Sequence, residues 1–221
     1  GTSAMEQTIL TPIQQQVLSL VNQMSELNHF YLSGGTALAA FYLHHRFSDD
    51  LDFFTAQDPD PVAIEGAVKM IAQTVNASST RFERLHDRRM FFFKTGEGEL
   101  KLEFTKYPFA QLRPIEITNE SRVDSLRDVS ANKLAALVDR FDPKDFVDLY
   151  FILQNASLED VRKDAEQKFG LKLSPLFLGG ELAKVKRVEA LPRMIKPLTI
   201  EELKRFFAEQ AQKLKPDVLD V

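Results

Sequence analysis

The sequence predicts an α/β (α+β) fold, a mixed sheet with flanking helices followed by a C-terminal helical half. Leu100 to Thr105 alternates with period two, so Leu100, Leu102 and Phe104 face one way and Lys101, Glu103 and Thr105 the other. Just before it, Met90 to Lys94 is dense in apolar residues, and Gly96-Glu-Gly98 supplies the turn between two antiparallel strands. Near Asp128 the apolar spacing becomes helical and stays so. That change sets the expected division, a core over 5–125 and a helical part over 126–221. No Gly/Ser-rich linker separates them, so direct packing is expected.

Composition narrows the class. A chain of 221 residues suffices for one sizeable domain or two small ones. The absence of Cys excludes disulfides, thiolate zinc sites and a Cys nucleophile, and fits a reducing compartment. No apolar run approaches the ~20 residues that span a bilayer, so a cytoplasmic protein with no membrane partner is expected. The formal net charge of −4 argues against coating nucleic acid through bulk charge; an RNA partner would need a local basic patch. Gly1 to Ala4, ahead of Met5, read as a cloning remnant.

In chain order, 8–28 reads as an amphipathic helix, with a Thr11-Pro12 start and Ile13, Val17, Leu20, Val21 and Met24 at helical spacing. Tyr31 to Ser33 is a strand that ends in a Gly34-Gly35 turn. Thr36 is placed to cap a helix over Ala37 to Leu43. Leu51, Phe53 and Phe54 are strand-like, and a helix with Val62, Ile64, Val68 and Ile71 covers 61–75. Arg81 to Leu85 adds a strand. The nearby Arg81, Arg84, His86, Arg88, Arg89 and Lys94 fit a charged sheet edge better than a binding surface. Ile115 and Ile117 mark a further strand.

In the helical half, Lys133 and Arg140 stand two turns apart on one face, opposite Leu134, Leu137 and Val138. Pro143 opens the next helix, on which Lys144 and Asp148 are neighbours. A charged helix over 157–169 follows. Leu171 to Leu182 is a short helix or two, with Gly179-Gly180 as a turn. Lys184, Lys186, Arg187, Arg193 and Lys196 form either a polyanion contact or a plain solvated face. Thr199 and Glu202 form a capping box for the last helix. His29, His44 and His86 have no metal-ligand spacing with one another.

Chemistry concentrates in residues 31–54. Asp50 and Asp52 are two apart in an extended stretch, so they project to one side while Leu51 and Phe53 point inward. Adjacent carboxylates repel unless a cation lies between them, and a hard divalent ion, Mg²⁺ above all, suits such oxygen donors. The Gly34-Gly35 turn at a helix start offers open backbone N–H groups for phosphate. A phosphate cradle and a metal-holding pair, one short helix apart, suggest phosphoryl or nucleotidyl transfer. A tight turn followed by two solvated aspartates is the plainer alternative.

Gly34, Gly35, Thr36, His45, Arg46, Ser48, Asp50 and Asp52 together resemble the nucleotidyltransferases of the AbiEii/AbiGii toxin group, within the DNA polymerase β-like superfamily. A second match covers Lys133 and Arg140, then Lys144, Asp145 and Asp148. The resemblance implies a nucleotidyltransferase-type sheet and a third carboxylate from a neighbouring strand, assigned to Glu103. It implies two Mg²⁺ ions on Asp50, Asp52 and Glu103. A nucleoside triphosphate would lie with its phosphates near Gly34, Gly35, Thr36, Ser48 and Lys133. Asp148 would stand at the site entrance or orient Lys133. An acceptor hydroxyl on tRNA or a protein would attack the α-phosphorus, and a cognate antitoxin would counter the enzyme.

From the residues alone, Glu103 also reads as a solvent-facing strand residue, and Lys133 with Asp148 as an exposed salt-bridge pattern. A small-molecule nucleotidyltransferase of the antibiotic-modifying kind shares the same motifs. A non-catalytic nucleotide-binding relative is the remaining alternative, against which the intact Asp50/Asp52 pair argues. The C-terminal third carries no signature.

Overall fold

The computed structural model describes residues 9–214; the segment ahead of Met5 lies outside them. The chain forms two compact units, residues 1–129 and 130–221. No helix among the described residues is long and apolar enough to cross a membrane.

The first unit is built on a seven-stranded sheet in the order β3-β4-β5-β2-β1-β7-β6. The strands are β1 (Tyr31–Ser33), β2 (Leu51–Thr55), β3 (Ser79–Leu85), β4 (Arg88–Thr95), β5 (Gly98–Lys106), β6 (Glu116–Thr118) and β7 (Ser121–Val123). The pairs β2/β5 and β1/β7 are parallel and the rest antiparallel. The mixed sheet expected from the sequence is present.

One sheet face is apolar. Leu51 and Phe53 of β2 and Leu102 and Phe104 of β5 are buried on it, as the period-two pattern requires. Phe53 stacks on Phe104 at 5.4 Å, and Phe30 meets the same ring edge-on at 5.1 Å. Helices α1 (Pro12–Gln23) and α2 (Pro61–Thr74) contribute Val17 and Val21, and Ile64, Val68 and Ile71, to this core. Each such side chain contributes about 1.5–3 kcal/mol by leaving water. The start of α1 is fixed by a complete capping box between Thr11 and Gln14.

Between β1 and β2 lies one continuous helical stretch. It begins as an α-turn at Gly34–Ala37 and widens into a π-helix over Leu38–Leu43. It ends at His44, whose φ of 51° is left-handed and whose N–H donates to the Ala39 carbonyl at 2.9 Å. Thr36 does not cap this helix. Ser33 occupies the cap position, without a side-chain bond, and Thr36 falls one turn inside.

Helix α3 (Leu126–Asp139) runs across the division between the units. The second unit continues with α4 (Pro143–Ile152), α5 (Leu158–Phe169), α6 (Pro175–Ala183), a 3₁₀ turn (Lys184–Arg187) and α7 (Ile200–Lys213). Asp142, Ser157, Ser174 and Thr199 cap the four helices that follow α3. Phe146 and Phe207 meet edge-on at 5.3 Å in the core, and Tyr150 meets Phe206 at 4.9 Å. Gly179 and Gly180 lie inside α6 and form no turn. The Ser174 cap and the buried Leu178 and Leu182 outweigh the ~1 kcal/mol that each glycine costs a helix.

Candidate active site

The turn after β1 is shaped by two glycines with different neighbours. Gly34 has φ +70°, and a Cβ there would lie 2.5 Å from Asp52 Oδ2. A Cβ at Gly35 would collide with the guanidinium of Arg46 and sit 3.3 Å from Ser48 Oγ. Arg46 is itself buried, and its Nη1 donates to the Phe47 carbonyl at 2.9 Å. The Thr36 hydroxyl lies 2.8 Å from that of Ser48 and also donates to the Asp50 carbonyl. Gln14, buried at the start of α1, donates to the carbonyls of Ser48 and Asp49 at 2.8 and 3.1 Å. The loop before β2 is thereby pinned from two sides.

The acids come together through strand register. Asp52 pairs with Ser33 of β1 on one side and with Glu103 of β5 on the other. Adjacent strands lie about 4.8 Å apart, so Asp52 and Glu103 stand side by side on the polar face. Asp50 precedes β2 at the same edge.

Cations are interleaved with these acids. Arg88 of β4 grips Glu103 with both prongs, Nε to Oε1 at 2.7 Å and Nη2 to Oε2 at 2.8 Å. The Thr105 hydroxyl donates to Oε1 at 2.7 Å. Lys101 Nζ lies 3.4 Å from Asp50 Oδ2 and 3.9 Å from Glu103 Oε2. Glu103 is only 4% exposed, which removes the solvent-facing reading. Burial alone would push its carboxyl up, but the bonds from Arg88 and Thr105 and the charges of Arg88 and Lys101 hold it below the usual value.

The donor set suits a hard divalent cation. Asp50, Asp52 and Glu103 offer carboxylate oxygens on one face, and the missing Cβ of Gly34 leaves room at Asp52 Oδ2. Among the described residues, no three acidic or histidine side chains converge as a ready-made metal cluster. Here Arg88 and Lys101 neutralise the carboxylates instead.

A second polar group holds β1 to its other neighbour. Ser33 Oγ donates to the buried Asp124 at 2.8 Å. Asp128 accepts from the backbone N–H groups of Leu112 and Arg113 at 2.8 and 3.0 Å. The Gln111 amide, with its nitrogen toward both acids, accepts from the Tyr31 hydroxyl at 2.8 Å. Burial, then the charge of Asp124, raises the Tyr31 phenol well above its ordinary value.

The second unit carries its own charged cluster. Lys133, almost wholly buried, reaches Asp145 Oδ1 at 3.1 Å and Asp148 Oδ2 at 2.8 Å. Arg140 closes on Asp145 at 2.9 Å. Asp145 and Asp148 are fully buried, so this is not the exposed salt-bridge pattern. Lys144 is exposed, and its backbone N–H takes the Asp142 cap. In the basic stretch, Lys184 pairs with Glu181 and Arg187 lies 4.3 Å over the Phe141 ring.

A family model described as the nucleotidyl transferase AbiEii toxin of type IV toxin–antitoxin systems matches residues 18–220. The chain belongs to that family. It is therefore a nucleotidyltransferase. An uncharacterised protein of Aquifex aeolicus is 30% identical over 160 residues, 71% of this chain and 74% of that protein. The fold resembles JHP933 of Helicobacter pylori, with TM-score 0.60 and 20% identity over 96% of this chain and 92% of that one. It also resembles MenT4, a nucleotidyltransferase toxin of Mycobacterium tuberculosis, with TM-score 0.55 and 17% identity over 98% and 85% of the two chains.

The site residues expected from the sequence fall into two places. Gly34, Gly35, Thr36, Ser48, Asp50, Asp52 and Glu103 assemble in the first unit; Lys133 and Asp148 form an ion pair in the second. Sequence reasoning did not find Gln14, Lys101, Arg88 or Asp124. Gln14 left a signal in the Thr-x-x-Gln spacing of a capping box, and Lys101 in the alternation that sets it on the same strand face as Glu103.

Proposed function

We propose that this AbiEii-family chain is the toxin of a toxin–antitoxin pair and moves a nucleoside monophosphate from a nucleoside triphosphate to an acceptor hydroxyl on tRNA or a protein, with Mg²⁺ as cofactor. The observation that carries the reading is the alignment of Asp52 with Glu103 beside the Gly34 turn. Bound Mg²⁺ would neutralise phosphate charge and make the acceptor oxygen a better nucleophile. Asp50 and Asp52 hold it, with Glu103 as third carboxylate. A carboxyl held below its usual value is a ligand better than a base, so Glu103 is assigned to binding rather than proton removal. The turn at Gly34 and Gly35 presents backbone N–H groups to the phosphates. Within its own unit, Lys133 keeps the role that the resemblance implies, a fixed cation, with Asp148 orienting it.

The test is a transfer assay. Purified protein is incubated with Mg²⁺, each of four α-labelled nucleoside triphosphates, and total RNA plus cell lysate. Label in an RNA band or a protein band supports the reading and names the acceptor class. The Asp52→Ala variant should transfer none while melting near the wild-type temperature. Full transfer by that variant would sink the assignment, and label found only on small molecules would move it to an antibiotic-type acceptor.

A further inference from the structure

Lys101 stands where the proposed chemistry has no place for a lysine. Its strand position, two residues before Glu103, puts it on the polar face beside the acids. Its ammonium makes no short contact. It lies 3.4 Å from Asp50 and 3.9 Å from Glu103, shared between two carboxylates as a small cation would be. Arg88 differs. Its two short parallel bonds at 2.7 and 2.8 Å are a fixed fork, which a planar guanidinium suits and a point charge does not. Of the two cations, Lys101 is the one free to pivot, on a flexible four-carbon stem that is only 23% exposed.

We propose that Lys101 is an internal counter-ion that holds the place of the divalent cation between Asp50 and Glu103, and that it is displaced when the metal binds. The proposal rests on the metal-dependent reading above. Asp52 and Glu103 are aligned on neighbouring strands and Lys101 reaches toward both Asp50 and Glu103, so like charges repel here and the fold tolerates them because Lys101 and Arg88 lie among them. A divalent ion entering that space meets two positive charges already in position. The ion alone binds weakly, and it binds well when the negative charge of a triphosphate arrives with it. Lys101 thus couples metal binding to nucleotide binding and keeps the acids from collecting metal without substrate.

The experiment titrates Mn²⁺ into the full chain, followed by electron paramagnetic resonance and by the melting temperature, with and without each of the four nucleoside triphosphates. The proteins are wild type, Lys101→Met, Lys101→Gln, Lys101→Arg, and Lys106→Met as a control for loss of a nearby strand lysine. The neutral variants should bind Mn²⁺ alone roughly tenfold or more tighter than wild type. They should melt lower without metal, recover with it, and lose most of the nucleotide dependence of binding. Lys101→Arg and Lys106→Met should stay near wild type. If the neutral variants bind Mn²⁺ no tighter than a wild type that binds it, the proposal is overturned and the metal-dependent reading stands. A gain that survives Asp52→Asn places the ion elsewhere and also overturns it. If no protein binds Mn²⁺ even with nucleotide, the metal-dependent reading fails and takes this one with it. Circular dichroism of each variant confirms the fold, and Lys101→Gln carries the test should Lys101→Met misfold.

Discussion

A methyl group added at Gly34 would lie 2.5 Å from Asp52 Oδ2, at a φ of +70° that strains any L side chain. Gly34→Ala should therefore cost about 1–3 kcal/mol of stability. It should also displace Asp52 and slow transfer by about 10²-fold. A denaturation midpoint and a single-turnover rate check the two effects separately. Glu103 gives a pH signature. Its folded value is held below its ordinary 4.5, so its contribution to stability is present above pH 4.5 and is lost as pH falls through the lower folded value. The stability gap between wild type and Glu103→Gln, measured by urea unfolding, should be constant near neutrality and shrink below pH 4.5. Alternation set Asp50 and Asp52 on one side of an extended stretch and Glu103 on the polar side of its strand, while the role given to Glu103 came from the resemblance. Alternation could not reveal that Arg88 grips Glu103. That contact depends on the register in which β4 meets β5, and periodicity within one strand does not encode it.

Helix α1 does more than pack. Gln14 closes its capping box and also holds the carbonyls of Ser48 and Asp49, so one side chain ties a helix start to the loop that delivers Asp50. Gln14→Ala should lower stability by about 1–2 kcal/mol and reduce transfer, whereas Thr199→Ala, which removes only a cap, should cost about 1 kcal/mol with no change in rate. Thermal melts and initial rates of the two variants decide this. The pairing of α3 with α4 is a stronger case. Removing Lys133 leaves Asp145 and Asp148 buried without their ammonium, so Lys133→Met should destabilise by about 3–5 kcal/mol, and adding Asp148→Asn should recover part of that. Loss of activity in Lys133→Met alone would therefore mix chemistry with folding. Helices were legible where caps and apolar spacing agreed, as in α1, α2 and α7. The π-turn over Leu38–Leu43 was not, since its composition fits an ordinary helix.

At the scale of the molecule, β3 and β6 are the end strands of the sheet among the described residues. β3 is exposed along its whole length, and Phe82 on it is 53% exposed. Arg81, Glu83 and Arg84 flank the apolar Phe82 and Leu85 there, which blunts pairing with a second copy. Replacing Arg81 and Arg84 by Val should leave the melting temperature nearly unchanged and raise light scattering on storage; unchanged scattering would deny the charges that role. Antiparallel strands could be anticipated from apolar runs and a hairpin turn, and the mixed sheet from the resemblance. Its order could not, because β2 finds β5 across a long intervening stretch that contains a helix and a hairpin.

That long-range pairing has a consequence in time. Asp50 and Lys101 are 51 residues apart in the chain and meet only when β2 closes against β5 in parallel. Pairings of this kind are slow, because the chain between them must be ordered before any contact rewards it. A ribosome that has released β1 and β2 has exposed the aspartates without the strand that completes their neighbourhood. Synthesis must pass Lys106 before both strands that flank β2 exist. A chain that stops before β5 therefore carries Asp50 and Asp52 without Lys101 or Glu103 beside them.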